Sequence, residues 1–187
     1  MGRQGKAARR RCGDAGVTLV ELLITTSLLA LLGMVGIPAM GQLLERSRVA
    51  TATTSMAMSL ANARMRAVAA GSPHTLCPSA QGLACDAGND WSQGWIVFAD
   101  LDRSGQREDP EEVWDRVQAS TASQVRIRST EGRARLVYQV DGSAGGSNVT
   151  IEFCARDAGA RSARQLVVSN VGRARLVERP TVTQCNR

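Results

Sequence analysis

Arginine residues spaced two apart in the second half of the chain have the chemistry and the spacing to bind phosphate groups. Arg173 and Arg175 follow a predicted hairpin turn at residues 170–172, and Arg179 comes next on the same predicted strand. Side chains two apart on a strand share one face, roughly 6.6 Å apart, and guanidinium groups bind phosphate through paired hydrogen bonds. The same R-x-R spacing occurs on other predicted strands, at Arg126/Arg128 and Arg133/Arg135.

The composition favours a sequence-independent contact with the DNA backbone over base recognition. Residues 116–187 contain twelve arginines against five acidic residues, a net charge of +7, whereas residues 86–115 carry nine acidic residues against two arginines, a net charge of −7. Aromatic residues make up only 3% of the chain, so platforms for base stacking are scarce. We therefore predict a DNA-binding surface on the arginine strand. The alternative is a solvated arginine face.

Oxygen-bearing side chains in residues 100–111 have the spacing of a calcium-binding EF-hand loop. Counting from the first acid, they occupy positions one, three, five, nine and twelve, with Gly105 at the sixth. Against calcium, Arg107 occupies the usual apolar position and the loop follows a predicted strand. An acidic turn between two strands is the alternative. The candidate ligands are Asp100, Asp102, Ser104, Glu108 and Glu111.

The sequence contains no constellation suited to catalysis. Its single histidine, His74, lies among turn residues with no nucleophile beside it, which predicts a solvated loop residue. A zinc site is not indicated, because the cysteines form no C-x-x-C pair. The sequence therefore predicts a protein that is not an enzyme, needs no cofactor, and acts by binding.

The segment that precedes these residues is an apolar run long enough to cross a bilayer. Residues 17–37 are apolar or small except Glu21, and a helix of about 21 residues spans roughly 31 Å. The basic residues before the run favour a cytoplasmic location for that end, and no A-x-A cleavage site follows it. A carboxylate within the bilayer costs about 2.5–3.5 kcal/mol, so Glu21 needs a partner.

The segment AGVTLVELL resembles the type IV prepilin signature, in which a glycine and a hydrophobic residue precede Thr-Leu-x-Glu. The resemblance implies that a prepilin peptidase cleaves after Gly16 and methylates the amino group of Val17, which stands where phenylalanine is usual. It also implies that Glu21 pairs with the positive amino terminus of a neighbouring subunit and sets the register of assembly. Pro38 matches the position at which pilin helices commonly kink.

Beyond Pro38 the composition predicts that the helix continues to about Ala70. The face that packs on a globular domain is predicted from helical spacing at Leu43, Leu44, Met56, Leu60, Ala63 and Ala67. Short predicted strands follow at residues 95–99, 113–118, 125–128, 135–140, 149–155, 165–169 and 173–178. Because no helical segment separates them, we predict an α+β fold with antiparallel sheets.

The segments DWSQGWIVFADLDRSGQREDPEEV and ARQLVVSNVGRARL resemble the GspH/FimT family of minor pilins and pseudopilins. The resemblance implies a type IV pilin-like fold with a long N-terminal helix on two antiparallel sheets. It divides the chain into a cleaved leader (1–16), a transmembrane and assembly helix (17–37), an amphipathic continuation (38–71) and a periplasmic β-rich domain (72–187). Residues 172–175, Gly-Arg-Ala-Arg, match the G-R-x-R element with which DNA-binding members capture DNA in natural transformation.

The cysteine count is typical of an exported domain. Cys12 lies in the leader, and an even number of cysteines remains after it. Of the three possible pairings we favour Cys77–Cys85, which closes a loop, and Cys154–Cys185, which ties down the C-terminus.

The sequence therefore predicts a minor pilin of a type IV pilus that binds DNA during uptake. Before assembly it would be a single-pass protein of the inner membrane, and its partners would be other pilins or pseudopilins, the prepilin peptidase and DNA. The alternative is a minor pseudopilin of a type II secretion system, acting in protein secretion without DNA binding.

Replacing Glu21 by alanine should leave membrane insertion intact and abolish incorporation into the filament, because the variant cannot neutralise a neighbour's amino terminus. Immunoblots of membrane and sheared-filament fractions would measure both. Normal incorporation of Glu21→Ala would contradict the assembly role.

Mass spectrometry of the wild-type protein should show a methylated Val17 as the first residue, and a chain beginning at Met1 would exclude processing.

Overall fold

The computed structural model describes residues 16–118, 125–145, 148–155 and 159–177. In this part of the chain one helix, α1 (Leu19–Ala70), precedes eight strands that form two antiparallel sheets. Sheet A has the order β3-β2-β1-β5 and sheet B the order β4-β6-β7-β8. The strands are β1 (His74–Pro78), β2 (Gly94–Ala99), β3 (Val113–Gln118), β4 (Val125–Ser129), β5 (Leu136–Tyr138), β6 (Val149–Ala155), β7 (Gly159–Val168) and β8 (Ala174–Val177).

The chain divides into two compact units, Met1–Met40 and Gly41–Arg187. In the first unit, α1 is apolar and long enough to cross a membrane, with a mean hydropathy of 2.1 in its most apolar window. The hydroxyl groups of this part are satisfied within the helix. Thr26 Oγ1 donates to the carbonyl of Leu22 (2.9 Å) and Ser27 Oγ to that of Ile24 (2.9 Å), so neither hydroxyl needs water.

In the second unit, α1 presents one buried stripe to the inner faces of both sheets. Its buried apolar residues follow one another at intervals of three and four, as one helix face requires. They are Val49, Ala52, Met56, Leu60, Ala63 and Ala67. Trp95 and Val97 of sheet A and Ile127, Ile151 and Phe153 of sheet B belong to the same core cluster.

The predicted core face of the helix is confirmed from Met56 to Ala67 but is wrong at its start. Leu43 and Leu44 are exposed. The first buried residue of the stripe is Val49, so helical spacing alone marked the face correctly but placed its beginning too early.

The prediction for His74 is also wrong. It begins β1, a fully buried strand that lies between β2 and β5, and its side chain is buried. Its ring Nδ1 lies 3.1 Å from the carbonyl oxygen of Ser72. Pro73 precedes this strand and Pro78 ends it, and these two prolines made the segment look like a loop in the sequence.

A second, smaller core lies on the outer face of sheet A and contains the predicted disulfide. Cys77, Ile96 and Phe98 form it, together with the partly buried Cys85 and Val113. The Cys77–Cys85 pairing is confirmed, with an S–S distance of 2.05 Å. Cys154 is also disulfide-bonded. Its predicted partner, Cys185, lies outside the described residues, so that pairing stays a prediction.

The loop between β2 and β3 is organised around the buried carboxylate of Asp100. The hydroxyl of Thr75 donates to its Oδ2 (2.6 Å), and the backbone N–H of Gly105 donates to the same oxygen (3.1 Å). At the other end of the loop, the buried Glu111 accepts hydrogen bonds from the backbone N–H groups of Leu101 (2.8 Å) and Glu108 (3.2 Å). These two acids hold the loop closed.

Replacing Asp100 by alanine should destabilise the protein by about 2–4 kcal/mol, because it leaves buried donors on Thr75 and Gly105 unsatisfied. Thermal unfolding followed by tryptophan fluorescence should show a fall in Tm of roughly 5–15 °C, at about 2–4 °C per kcal/mol. The control is Asp109→Ala, which removes the exposed ion pair with Arg107 (2.6 Å) and should leave Tm nearly unchanged. Equal Tm values for the two variants would contradict the role of Asp100.

Thermal unfolding of the wild-type protein with calcium and with a chelator tests the calcium hypothesis. An unchanged Tm would exclude it.

Candidate functional site

The predicted processing and assembly residues lie at the start of α1. Gly16 and Val17 precede the helix, and Thr18 caps it, because the backbone N–H of Glu21 donates to Thr18 Oγ1 (3.2 Å). Thr18 and Glu21 thus have the spacing of a capping box. A negative charge in the first helical turn is also favoured by the helix dipole. Glu21 therefore has a local stabilising role besides the predicted assembly contact, and the sequence pattern T-x-x-E could have revealed it.

The structure brings three of the predicted arginines to the outer face of sheet B. In β4, Val125, Ile127 and Ser129 are buried, so Arg126 and Arg128 point to the opposite, outer face. Arg175 pairs with Val167, between the buried Leu166 and Val168. Since alternate residues of a strand face opposite sides, Arg175 also lies on the outer face. β4 and β8 are the two edges of sheet B, roughly 14 Å apart at about 4.8 Å per strand.

The arginines at the two ends of this face differ in their exposure to solvent. Arg175 and the neighbouring Arg173 are exposed, whereas Arg126 and Arg128 are half-buried. Arg128 Nη2 lies 3.7 Å from Asp90 Oδ2, and in the strand register Arg128 lies opposite Glu152 of β6. The β8 end of the face is therefore the end best able to meet a polyanion.

The other predicted arginines are not shown on this face. β5 begins at Leu136, so Arg133 and Arg135 precede it and do not lie on a strand, contrary to the prediction. Arg133 closes a turn through its backbone N–H, which donates to the carbonyl of Thr130 (3.0 Å). The side chain of Arg135 lies against Gly105 of the acidic β2–β3 loop. Arg179 lies outside the described residues.

The G-R-x-R segment forms a tight turn before β8. Gly172 has a φ of 81°, and a Cβ atom there would lie 1.9 Å from the carbonyl oxygen of Gly142. The backbone N–H of Gly172 donates to the carbonyl of Ser169 (2.8 Å). The glycine of the element is therefore required by the backbone, and Gly172 positions Arg173 and Arg175 instead of binding a ligand through a side chain.

Arg64 of α1 holds this turn and a second turn against the helix. Its Nε donates to the carbonyl of Gly142 (2.9 Å), and its Nη2 donates to the carbonyl of Val171 (3.2 Å). The sequence analysis did not identify Arg64, because a single arginine on a helix carries no signal for two carbonyl partners far away in the sequence.

An exposed aromatic residue lies on a different strand. Trp114 of β3 is 43% exposed, and the guanidinium carbon of Arg66 lies 4.4 Å from its ring centroid. β3 is an edge strand of sheet A, so this cation–π pair is separate from the arginines of sheet B.

Three of the five predicted calcium ligands come together. Carboxylate oxygens of Asp100, Asp102 and Glu111 lie within 4.8 Å of one another, and carboxylates suit calcium. A hydrogen bond from the backbone N–H of Ser104 lowers the pKa of Asp102. Ser104 Oγ instead donates to the carbonyl of Gln106 (3.0 Å). Among the described acidic residues, Glu108 does not belong to the cluster. The structure therefore brings together three carboxylates of the predicted set, and calcium binding stays a prediction.

Comparisons with known proteins agree on the family and the fold. The family model described as "Type II transport protein GspH" matches residues 52–172. Two crystal forms of the type IV minor pilin FimU from Pseudomonas aeruginosa have similar structures. One is 18% identical with a TM-score of 0.59, covering 75% of this chain and 96% of FimU. The other is 15% identical with a TM-score of 0.51, covering 72% and 96%.

A third similar structure is the minor pseudopilin EpsH from the type 2 secretion system of Vibrio cholerae. It is 9% identical with a TM-score of 0.48, and the match covers 70% of this chain and 96% of EpsH. No curated protein sequence matches significantly.

The long apolar helix and the antiparallel sheets give this chain the type IV pilin-like fold, as predicted. Because the family model covers more than half of its length, the chain belongs to the family described as type II transport protein GspH.

Proposed function

We propose that this chain is a minor pilin whose sheet-B arginines bind the DNA backbone during DNA uptake. The observation that carries the proposal is the placement of Arg175 on the same outer face as Arg126 and Arg128, beside the exposed Arg173. Guanidinium groups spread over one sheet face suit a row of phosphates without reading bases. The chain would act by assembly and binding, not by catalysis.

The membrane steps of this proposal follow from the start of the chain. The prepilin peptidase would cleave after Gly16, and residues 17–37 would hold the protein in the inner membrane with residues 72–187 in the periplasm. Support comes from the apolar part of α1 and from the position of Gly16 and Val17 directly before the helix. After processing, Glu21 would pair with the amino terminus of an adjacent subunit.

The second candidate function is a minor pseudopilin of a type II secretion system, which the description of the matching family favours. In that role the same scaffold would contact other pseudopilins or exported proteins. A deletion strain scored for transformation and for exoenzyme secretion separates the two functions, since each predicts the loss of only one activity.

The double variant Arg173→Gln/Arg175→Gln should weaken binding to duplex DNA by roughly 10- to 100-fold and reduce the salt slope by about two, because two phosphate contacts are lost. The measurement is fluorescence anisotropy with full-length protein in non-ionic detergent and two DNA duplexes of unrelated sequence. Both duplexes should bind equally.

The matched control is Arg46→Gln/Arg48→Gln, which removes two exposed arginines of the same R-x-R spacing from α1. It should change the affinity less than twofold. Absence of binding by the parent at low salt, or equal losses in the two double variants, would exclude the proposed surface.

Gly172→Ala should lower Tm much more than Gly132→Ala. Both glycines have positive φ, at 81° and 76°, and an alanine in this region costs about 1–2 kcal/mol. Only at Gly172 would the added Cβ also collide with the Gly142 carbonyl, while nothing lies within 4 Å at Gly132. Thermal unfolding measures both, and similar Tm values would show that the turn relaxes without cost.

A further inference from the structure

The free side of β8 borders an apolar groove that the described residues leave unfilled. The groove has a volume of about 790 Å³ and lies between α1 and the β7–β8 end of sheet B. Leu60, Met65 and Val68 line it from the helix, and Leu166, Ala174 and Leu176 line it from the sheet. Met65, Val68 and Leu176 are 62%, 54% and 45% exposed. Adjoining exposed apolar side chains of this kind mark interaction sites.

The backbone of β8 offers hydrogen-bonding groups along this groove. The N–H of Ser169 donates to the carbonyl of Arg173 (3.0 Å), and β7 and β8 pair as Val167 with Arg175. Because bonded and non-bonded pairs alternate in an antiparallel ladder, Arg175 bonds to β7, while the backbone groups of Ala174 and Leu176 point away from it. Among the described strands, β8 has no neighbour on that side.

The dimensions of the groove match one additional strand. A fifth strand of sheet B would lie about 4.8 Å beyond β8, and the helix residues that line the groove extend from Ala57 to Ala69. Twelve helical steps span roughly 18 Å, which an extended segment of five or six residues also covers. Small side chains at Ala61, Gly172 and Ala174 leave room for a closely approaching backbone.

Two further features of the groove indicate which chemical groups an occupant should carry. Arg64 and Arg173 line the groove, and none of the described lining residues is acidic, so an acidic residue on the occupant would be favoured there. The buried hydroxyl of Tyr138, which also lines the groove, has no hydrogen-bond partner among the described residues. An unsatisfied buried hydroxyl is unfavourable, and a hydrogen-bond acceptor on the occupant would satisfy it.

The C-terminal tail of this chain is a poor occupant if Cys154 bonds to Cys185. Cys154 alternates with the buried core residues Phe153 and Ala155, so it lies on the outer face of sheet B. A tail folded back along β8 would bring Cys185 near the level of Ala174, which aligns with Val149 through Val168. That level is five residues from Cys154, or roughly 17 Å along the strand, whereas disulfides need Cα atoms within about 7 Å.

We propose that the groove beside β8 receives an extended strand from another pilin-family subunit, which pairs with the free edge of β8 and places alternate apolar side chains against α1. The strand would bond to the backbone groups of Ala174 and Leu176. This is strand addition, in which main-chain hydrogen bonds provide affinity and the groove provides selectivity. The proposed strand site does not require DNA binding, although Arg173 lies at both surfaces.

The test uses the full-length chain in lipid nanodiscs, combined in turn with each other pilin-family subunit encoded in the same genome. Hydrogen exchange is measured at single-residue level with and without the added subunit. One subunit should slow the exchange of the Ala174 and Leu176 amides at least tenfold. The proposal would be overturned if no added subunit protects these two amides, or if a subunit binds and leaves them unprotected.

Two methionine variants separate the groove from the rest of the helix surface. Met65 and Met58 are both on α1 and are 62% and 61% exposed, but only Met65 lines the groove. Met65→Glu should weaken binding of the subunit at least tenfold, and Met58→Glu should change it less than twofold. Equal effects would place the contact on the open helix surface and overturn the groove assignment.

Exchange in nanodiscs without a partner provides the remaining control. If the Ala174 and Leu176 amides are already protected there, the groove is filled by the chain's own tail or by lipid. Deleting residues 178–187 would identify the tail, because protection would disappear. Either result would overturn the proposal of an intermolecular strand.

Discussion

The second unit of the molecule depends on one stripe of α1, which closes a single core between two sheets. Half of the stripe consists of alanines, at positions 52, 63 and 67, and small side chains let a helix approach both sheets closely. Larger residues at these positions would separate the helix from one sheet or the other. The inner faces of both sheets therefore pack against α1. The surfaces available for partners are those that the helix does not cover.

The two sheets use their outer faces differently. Sheet A covers part of its outer face with a second small core around Cys77, Ile96 and Phe98, closed by the Cys77–Cys85 disulfide. Sheet B carries Arg126, Arg128 and Arg175 on its outer face instead. The β8 end of sheet B also carries the G-R-x-R turn, which Arg64 ties to the helix. The arrangement of the proposed DNA surface therefore depends on the same helix that organises the core.

The sequence predicted the fold class and most elements, because hydrophobic periodicity is a property of each segment alone. Both β3 and β6 have the predicted bounds, and α1 ends at the predicted Ala70. β1 was missed because its flanking prolines outweighed a short apolar run, although burial between two neighbouring strands stabilises it. For the site, spacing indicated correctly that Arg126 and Arg128 share a face. It did not predict that Arg133 and Arg135 precede a shorter strand, or that Arg64 reaches two distant carbonyls, because these depend on tertiary contacts.

The cap at the start of α1 has a consequence for maturation. Both groups that form it, the Thr18 hydroxyl and the Glu21 amide, lie on the carboxyl side of the proposed scission after Gly16. Removal of the leader would not unwind any of this first turn. It would replace the positive side chains of the leader by a single terminal ammonium group. Maturation would therefore change the charge at the start of α1 without changing its first turn.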